Sequence, residues 1–231
     1  MRSPWQAMLW ELWRTSRFEF LARLAGQSGF VFLFLILAKE LDNPHAIQAI
    51  CGIIIPQLIV ASIFSQTWLR ELEDTSAGFR FQLWFHRPVS TAHIVLIPMA
   101  YLTATAVGHY LCGSQLLGLV LNTRVPIALP SMLVICVICA VSGTCWSLAN
   151  RMNRAFGLLL VAVVTILLVA YRLNKFPGDQ PILFVLGNMQ FYEVTTLDVT
   201  IAAVFILATM WLTIRRVDSR RHSLGLSTRQ L

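Results

Sequence analysis

Residues 69–94 read LRELEDTSAGFRFQLWFHRPVSTAHI, and the rest of the chain is interpreted outward from them. They form the longest polar interruption in the first half of a very apolar sequence. Arg70, Glu71, Glu73 and Asp74 crowd the start, and Gly78 weakens any helix there. An amphipathic run follows over residues 79–86. Pro88 forces Arg87 out of helical geometry, and Ser90 or Thr91 supplies the cap for a new helix. Apolar runs flank the stretch on both sides. A chain with this pattern leaves a membrane, makes a short bent surface element and re-enters. Such an element presents itself to a partner without naming a cargo.

Composition agrees. Of 231 residues, 57% are hydrophobic and 13% charged, whereas a soluble domain carries about 25% charged residues. A hydrocarbon layer of about 30 Å takes about 20 helical residues to cross. Six stretches meet that length, at about 24–41, 47–68, 92–121, 131–148, 156–171 and 196–214. The fold class expected is an all-α membrane protein of six transmembrane helices. A long amphipathic helix precedes them, opened by Ser3-Pro4, with Trp5, Met8, Leu9, Leu12, Trp13 and Phe20 on one face and Gln6, Glu11, Arg14 and Arg17 on the other. Basic, tryptophan-bearing helices of this kind suit the membrane interface. The organisation expected is an amphipathic segment 1–23, a transmembrane domain 24–214 and a basic tail 215–231. Within the domain, residues 69–91 form the polar segment and 172–195 the one long outer loop, whose apolar middle at 182–186 is too short to cross.

Charge sets the orientation. Of 18 Lys and Arg, only Lys39, Arg124, Arg172 and Lys175 fall on one side of this topology. The rest fall on the other, which the positive-inside rule makes cytoplasmic, with both termini. The net charge of +7 needs no nucleic acid to explain it, since no soluble basic domain carries it. All five cysteines (51, 112, 136, 139 and 145) lie in apolar spans, so no disulfide framework is expected.

The acidic cluster, Gly78, Leu83, Pro88-Val89-Ser90 and Ile94, placed between the second and third spans, resemble the cytoplasmic coupling segment of type-2 ABC exporter permeases. The tryptophan-rich N-terminus and the six spans are similar to that family too, so the likeness covers nearly the whole chain. The resemblance implies an elbow helix before the first span and a location in the bacterial cytoplasmic membrane. It implies two permease halves, copies or paralogues, facing each other across the substrate route. It also implies a separate ABC ATPase that holds ATP and Mg and docks on the coupling segment through Glu71, Glu73, Asp74, Gly78, Phe79, Leu83 and Pro88.

The chemistry within the chain is sparse. No phosphate-binding GxxxxGK[ST] is present: Lys39 follows Ala38 and Lys175 follows Asn174. No catalytic residue and no cofactor of its own are expected. Cys136, Cys139 and Cys145 lack a nearby histidine, and ordinary small membrane-helix residues are the better reading than a metal site. His109, in mid-span, reads either as a proton or metal group or as a histidine bonded within the bundle. Ala100, Ala104, Gly108 and Cys112 recur every fourth residue, a stripe that permits close helix approach. On the second span Gln48, Gly52, Ser62 and Gln66 share a face. Facing lipid they would lack partners, so Gln48, Ser62 and Gln66 either line a substrate route or bond to a neighbouring helix. Three functions compete: the membrane subunit of an ATP-driven exporter, a non-transporting scaffold that docks a cytoplasmic partner, and a membrane enzyme. The last is disfavoured because neither a Ser/His/Asp set nor paired carboxylates lie at membrane depth.

Overall fold

The computed structural model describes residues 4–38, 44–64, 89–122, 124–147, 151–174 and 182–223. Among these the chain is all-helical. The elements are α1 (Pro4–Ala38), α2 (Pro44–Phe64), α3 (Thr91–Leu121), α4 (Ala128–Ser147), α5 (Arg151–Leu173), α6 (Ile182–Gly187), a 3-10 turn (Met189–Tyr192) and α7 (Thr196–Ser223). Three of them contain stretches long and apolar enough to cross a membrane: Thr91–Leu121, Ala128–Cys145 and Thr196–Ser219. Shorter apolar runs occupy Ile47–Ile63 and Leu159–Leu173. The molecule is thus built as a helical membrane protein.

The ends of α3 follow local chemistry. Ser90 is its N-cap, extended at φ −62° and ψ 146°, and its hydroxyl accepts from the His93 amide. Asn122 closes the helix in the left-handed region at φ 49°, with its amide donating to the Gly118 carbonyl. At the start of α7, Thr195 and Asp198 form a capping box. The Thr195 hydroxyl accepts from the Asp198 amide at 3.2 Å, and the Asp198 carboxylate accepts from the Thr195 amide at 2.9 Å.

Contacts along α3 fix the direction of every long helix. Met8 clusters with Ile94 and Val95, Ser16 bonds to Tyr101, Phe20 packs on His109, and Val31 joins Tyr110 and Leu117. So α1 runs parallel to α3. Leu129 lies with Leu117, Val134 and Ile138 with Ala106, and Cys145 with Ile94, so α4 runs against it. By the same reasoning α2 and α7 are antiparallel to α3 and α5 is parallel. The six long helices therefore alternate in direction. One end of the bundle gathers Met8, Val89, Ile94, Cys145 and Val217; the other gathers Val31, Leu129, Phe191 and Tyr192. Helices α3 and α4 are central, α3 touching α1, α2, α4 and α7, and α4 touching α2, α3, α5 and α7. Within the apolar stretches, 56% of α4 is buried but only 11% of α7, which places α7 at the periphery of the bundle.

Glycine sets two close crossings. A Cβ at Gly113 would lie 2.8 Å from Leu58 Cδ2 and 3.0 Å from Gln27 Nε2, which brings α1, α2 and α3 together. A Cβ at Gly143 would lie 2.8 Å from Thr209 Cγ2, between α4 and α7.

The structure departs from the sequence reading in three places. The elbow expected over 1–23 is not a separate helix, because Pro4–Ala38 is continuous and lies along α3. Residues 20–26 are Phe-Leu-Ala-Arg-Leu-Ala-Gly, good helix formers with nothing to break the ladder before Gly26. Residues 151–154, left between the expected spans 131–148 and 156–171, are the first turn of α5, which starts at Arg151. Finally, the stripe on α3 faces outward: Ala100, Ala104 and Cys112 are exposed and nothing lies within 4 Å of a Cβ at Gly108. The small residue that does bring helices together is Gly113, beside the stripe.

Gly143→Val should therefore cost about 1–3 kcal/mol by overpacking the α4–α7 crossing. Gly108→Ala should be neutral or stabilising by up to about 1 kcal/mol, the helix-propensity gain. Thermal unfolding of the two variants in detergent distinguishes them.

Candidate functional site

Of the coupling-segment residues, Glu71, Glu73, Asp74, Gly78, Phe79, Leu83 and Pro88 lie outside the described residues, as does Gln66. The described end of the segment, Val89 to Thr91, is held firmly. Arg221, near the end of α7, donates from Nη1 to the Val89 carbonyl at 2.9 Å and to the Thr91 hydroxyl at 3.1 Å. Thr91 in turn donates to Asp218 Oδ1 at 2.8 Å. Arg221 is only 3% exposed, so an ionised side chain is folded into the junction between the segment and α3. Such a charge persists only when bonded, because desolvating an ion costs several kcal/mol.

The sequence reading places Arg221 in the basic tail 215–231. A usable signal lay in the spacing. Thr213, Val217 and Arg221 recur every fourth residue, and all three are buried on the packed face of α7. An arginine in register with packing residues is a sign of an internal partner.

The face proposed on α2 is turned inward. Ser62 is fully buried, and its hydroxyl donates to the Leu58 carbonyl at 2.6 Å. Gly52 is buried and Gln48 half-buried. Gln48 sits beneath α6: a Cβ on Gly187 would overlap the Gln48 carbonyl oxygen, so only glycine permits this approach. Helix α6 packs on the start of α2, with Val185 among Cys51, Ile54 and Ile55. Residues 182–186, too short to cross, thus pack on the end of the bundle at the start of α2. Ser62 and Gln48 are thus not brought together; they lie near opposite ends of α2.

The end of the bundle that holds α6 has its own polar tie. Arg172, in the last turn of α5, pairs with Asp198 at 2.7 Å. It also donates to the carbonyls of Phe191 at 3.1 Å and Glu193 at 3.0 Å. Tyr192 donates to the Leu186 carbonyl at 2.9 Å, and burial pushes its phenol well above the usual range, so it stays a neutral donor. Tyr110 donates to the Pro126 carbonyl nearby.

His109 is buried between α1 and α3. Its ring nitrogens lie 3.0 Å from the Thr105 carbonyl and 3.3 Å from the Phe20 carbonyl, with the Phe20 ring centroid 4.4 Å away. Of its two sequence readings, the histidine bonded within the bundle is the one these contacts describe. Cys139 and Cys145 are buried and Cys136 half-buried. Among the described residues, no three His, Cys, Asp or Glu side chains come close enough to hold a metal.

No family model, curated protein or solved structure matches the chain. The functional reading therefore stands on residues and geometry.

Asp198→Ala removes a capping carboxylate and the partner of Arg172 together. A loss of about 1–2 kcal/mol is expected, mostly from the cap, because a partly exposed ion pair adds little. Thermal unfolding of this variant beside Asp198→Asn measures it, and Asn, whose side-chain carbonyl can still accept from the Thr195 amide, should recover part of the loss.

Proposed function

We propose that this chain is the membrane-spanning subunit of an ATP-driven exporter. In this reading it forms half of a dimeric substrate route and is driven by a separate ABC ATPase that binds ATP and Mg and docks on residues 69–91. All six long helices cross the membrane, and both termini are cytoplasmic. The observation that carries the reading is the bent polar segment between the second and third apolar runs, with its Gly78, Leu83 and Pro88-Val89-Ser90, whose described end is anchored by a buried arginine. The alternation of six helices of at least 20 residues supports six crossings, because 20 residues of helix span about 30 Å. The charge asymmetry supports the orientation.

The dimer gains support from the outward stripe of α3. Ala100, Ala104, Gly108 and Cys112 make a surface on which a second helix can approach closely. A route between two copies also agrees with Ser62, which is sealed inside its own bundle.

Two measurements test this. Co-purification with an ABC ATPase encoded beside the gene should recover the wild-type complex, and Leu83→Asp should lower both recovery and stimulated hydrolysis about tenfold or more, as burying an unpaired charge in an apolar contact would. Equal recovery and equal hydrolysis would remove residues 69–91 as the docking site.

The second uses Cys112, the only exposed native cysteine. Mild oxidation of membranes should give a dimer band on non-reducing gels, lost in Cys112→Ala. If no band forms at Cys112 or at cysteines placed at 104 and 108, the two copies do not meet along this face.

A further inference from the structure

We propose that Arg221 and Asp218 are positioning residues that hold the end of the docking segment in the geometry its partner binds. The inference rests on the docking reading above. Its physical basis is the length of α7. A transmembrane anchor is complete at Arg215-Arg216, yet α7 continues to Ser223. The extra turns bring Asp218 and Arg221 onto Val89 and Thr91. There Arg221 Nη1 bonds to both residues at 2.9 and 3.1 Å, and Thr91 bonds to Asp218 at 2.8 Å. Apolar side chains would fill this junction with no ion to desolvate, and a purely structural helix end would gain by them. What the charged pair adds is direction. It fixes a backbone carbonyl and a hydroxyl on either side of Ser90, the residue that caps α3.

A segment end held this way is ordered before its partner arrives. Each backbone residue ordered in advance is worth about tenfold in affinity, because the partner no longer bears that entropy. Loosening the clamp should therefore weaken docking without removing any residue the partner touches.

The test uses the full-length chain in detergent and the purified ABC ATPase encoded beside its gene. Arg221→Gln and Asp218→Asn should each raise the Kd for the ATPase roughly tenfold and speed amide exchange over residues 89–95. Arg216→Gln, at an exposed neighbour, should change neither. In a background lacking the five native cysteines, the double variant Thr91→Cys with Asp218→Cys should bind weakly when reduced and regain near wild-type Kd once oxidised to a disulfide. A structural defect alone would not reverse with redox state in this way. Should Arg221→Gln fail to fold, Asp218→Asn and the redox pair carry the test.

Wild-type Kd in Asp218→Asn and in the reduced pair, with exchange at 89–95 accelerated, overturns the proposal. If the wild-type chain binds no ATPase, the docking reading falls and the proposal with it. If wild type binds and Leu83→Asp does not, docking stands and the clamp alone is judged.

Discussion

A bilayer core offers no hydrogen-bond partner, and that constraint shapes this chain at every level. Backbone groups must bond within helices, and hydroxyls must find acceptors nearby. They do so by reaching back one turn along their own helices. Ser16 donates to Leu12, Ser62 to Leu58, Thr144 to Ala140, Thr165 to Val161, Thr209 to Phe205 and Thr213 to Thr209, at 2.6–2.8 Å. A satisfied bond of this kind contributes about 1 kcal/mol net, whereas a buried donor left alone costs about 1–3. The arrangement spares polar residues that penalty without making them adhesive. Adhesion comes from close packing, as at Gly113 and Gly143, where backbone replaces side chain.

Two charged ties sit at opposite ends of the bundle. At one end Arg172 binds Asp198 and two carbonyls and closes α5, the 3-10 turn and α7 into a corner. At the other, Arg221 and Asp218 close α7 onto the start of α3. Both arginines use several acceptors at once, which a planar guanidinium does better than an ammonium. Each ties α7 to the rest.

Much of this was legible in the sequence, and the failures have a common cause. Helix starts at Pro4 and at Thr91 were readable because their signals are local: a proline at the first turn, a serine cap after Arg87-Pro88. The spans near 92–121, 131–148 and 196–214 were readable from apolar length alone. The face a helix presents was not. Ala100, Ala104, Gly108 and Cys112 permit close approach, but a stripe does not say to whom, and the bundle used Gly113 instead. The continuity of α1 was missed because amphipathicity changes along it while helix propensity does not. Arg221 was hidden by its neighbours Arg215, Arg216 and Arg220, whose composition reads as a solvated tail. Of the candidate route residues, Ser62 is buried and Gln48 half-buried within the bundle, and Gln66 lies outside the described residues. The partner of Ser62 is a carbonyl one turn back on its own helix, whereas the approach of α6 to Gln48 depends on residues far apart in sequence.

The distribution of ties bears on how such a bundle can move. Polar clamps close both ends, and the glycine crossings lock α1–α2–α3 and α4–α7. Opening a passage inside the chain would break these together and part His109 from the Phe20 carbonyl. Moving the chain as one body against a second copy breaks none of them. Packed cores respond to load as units because their contacts are bistable rather than elastic. The exporter reading thus places the moving surface where the described bundle leaves small residues uncovered, along the outward face of α3. That helix begins at Thr91, the residue Arg221 and Asp218 hold, so a pull on the docking segment reaches the proposed dimer face through a single continuous helix.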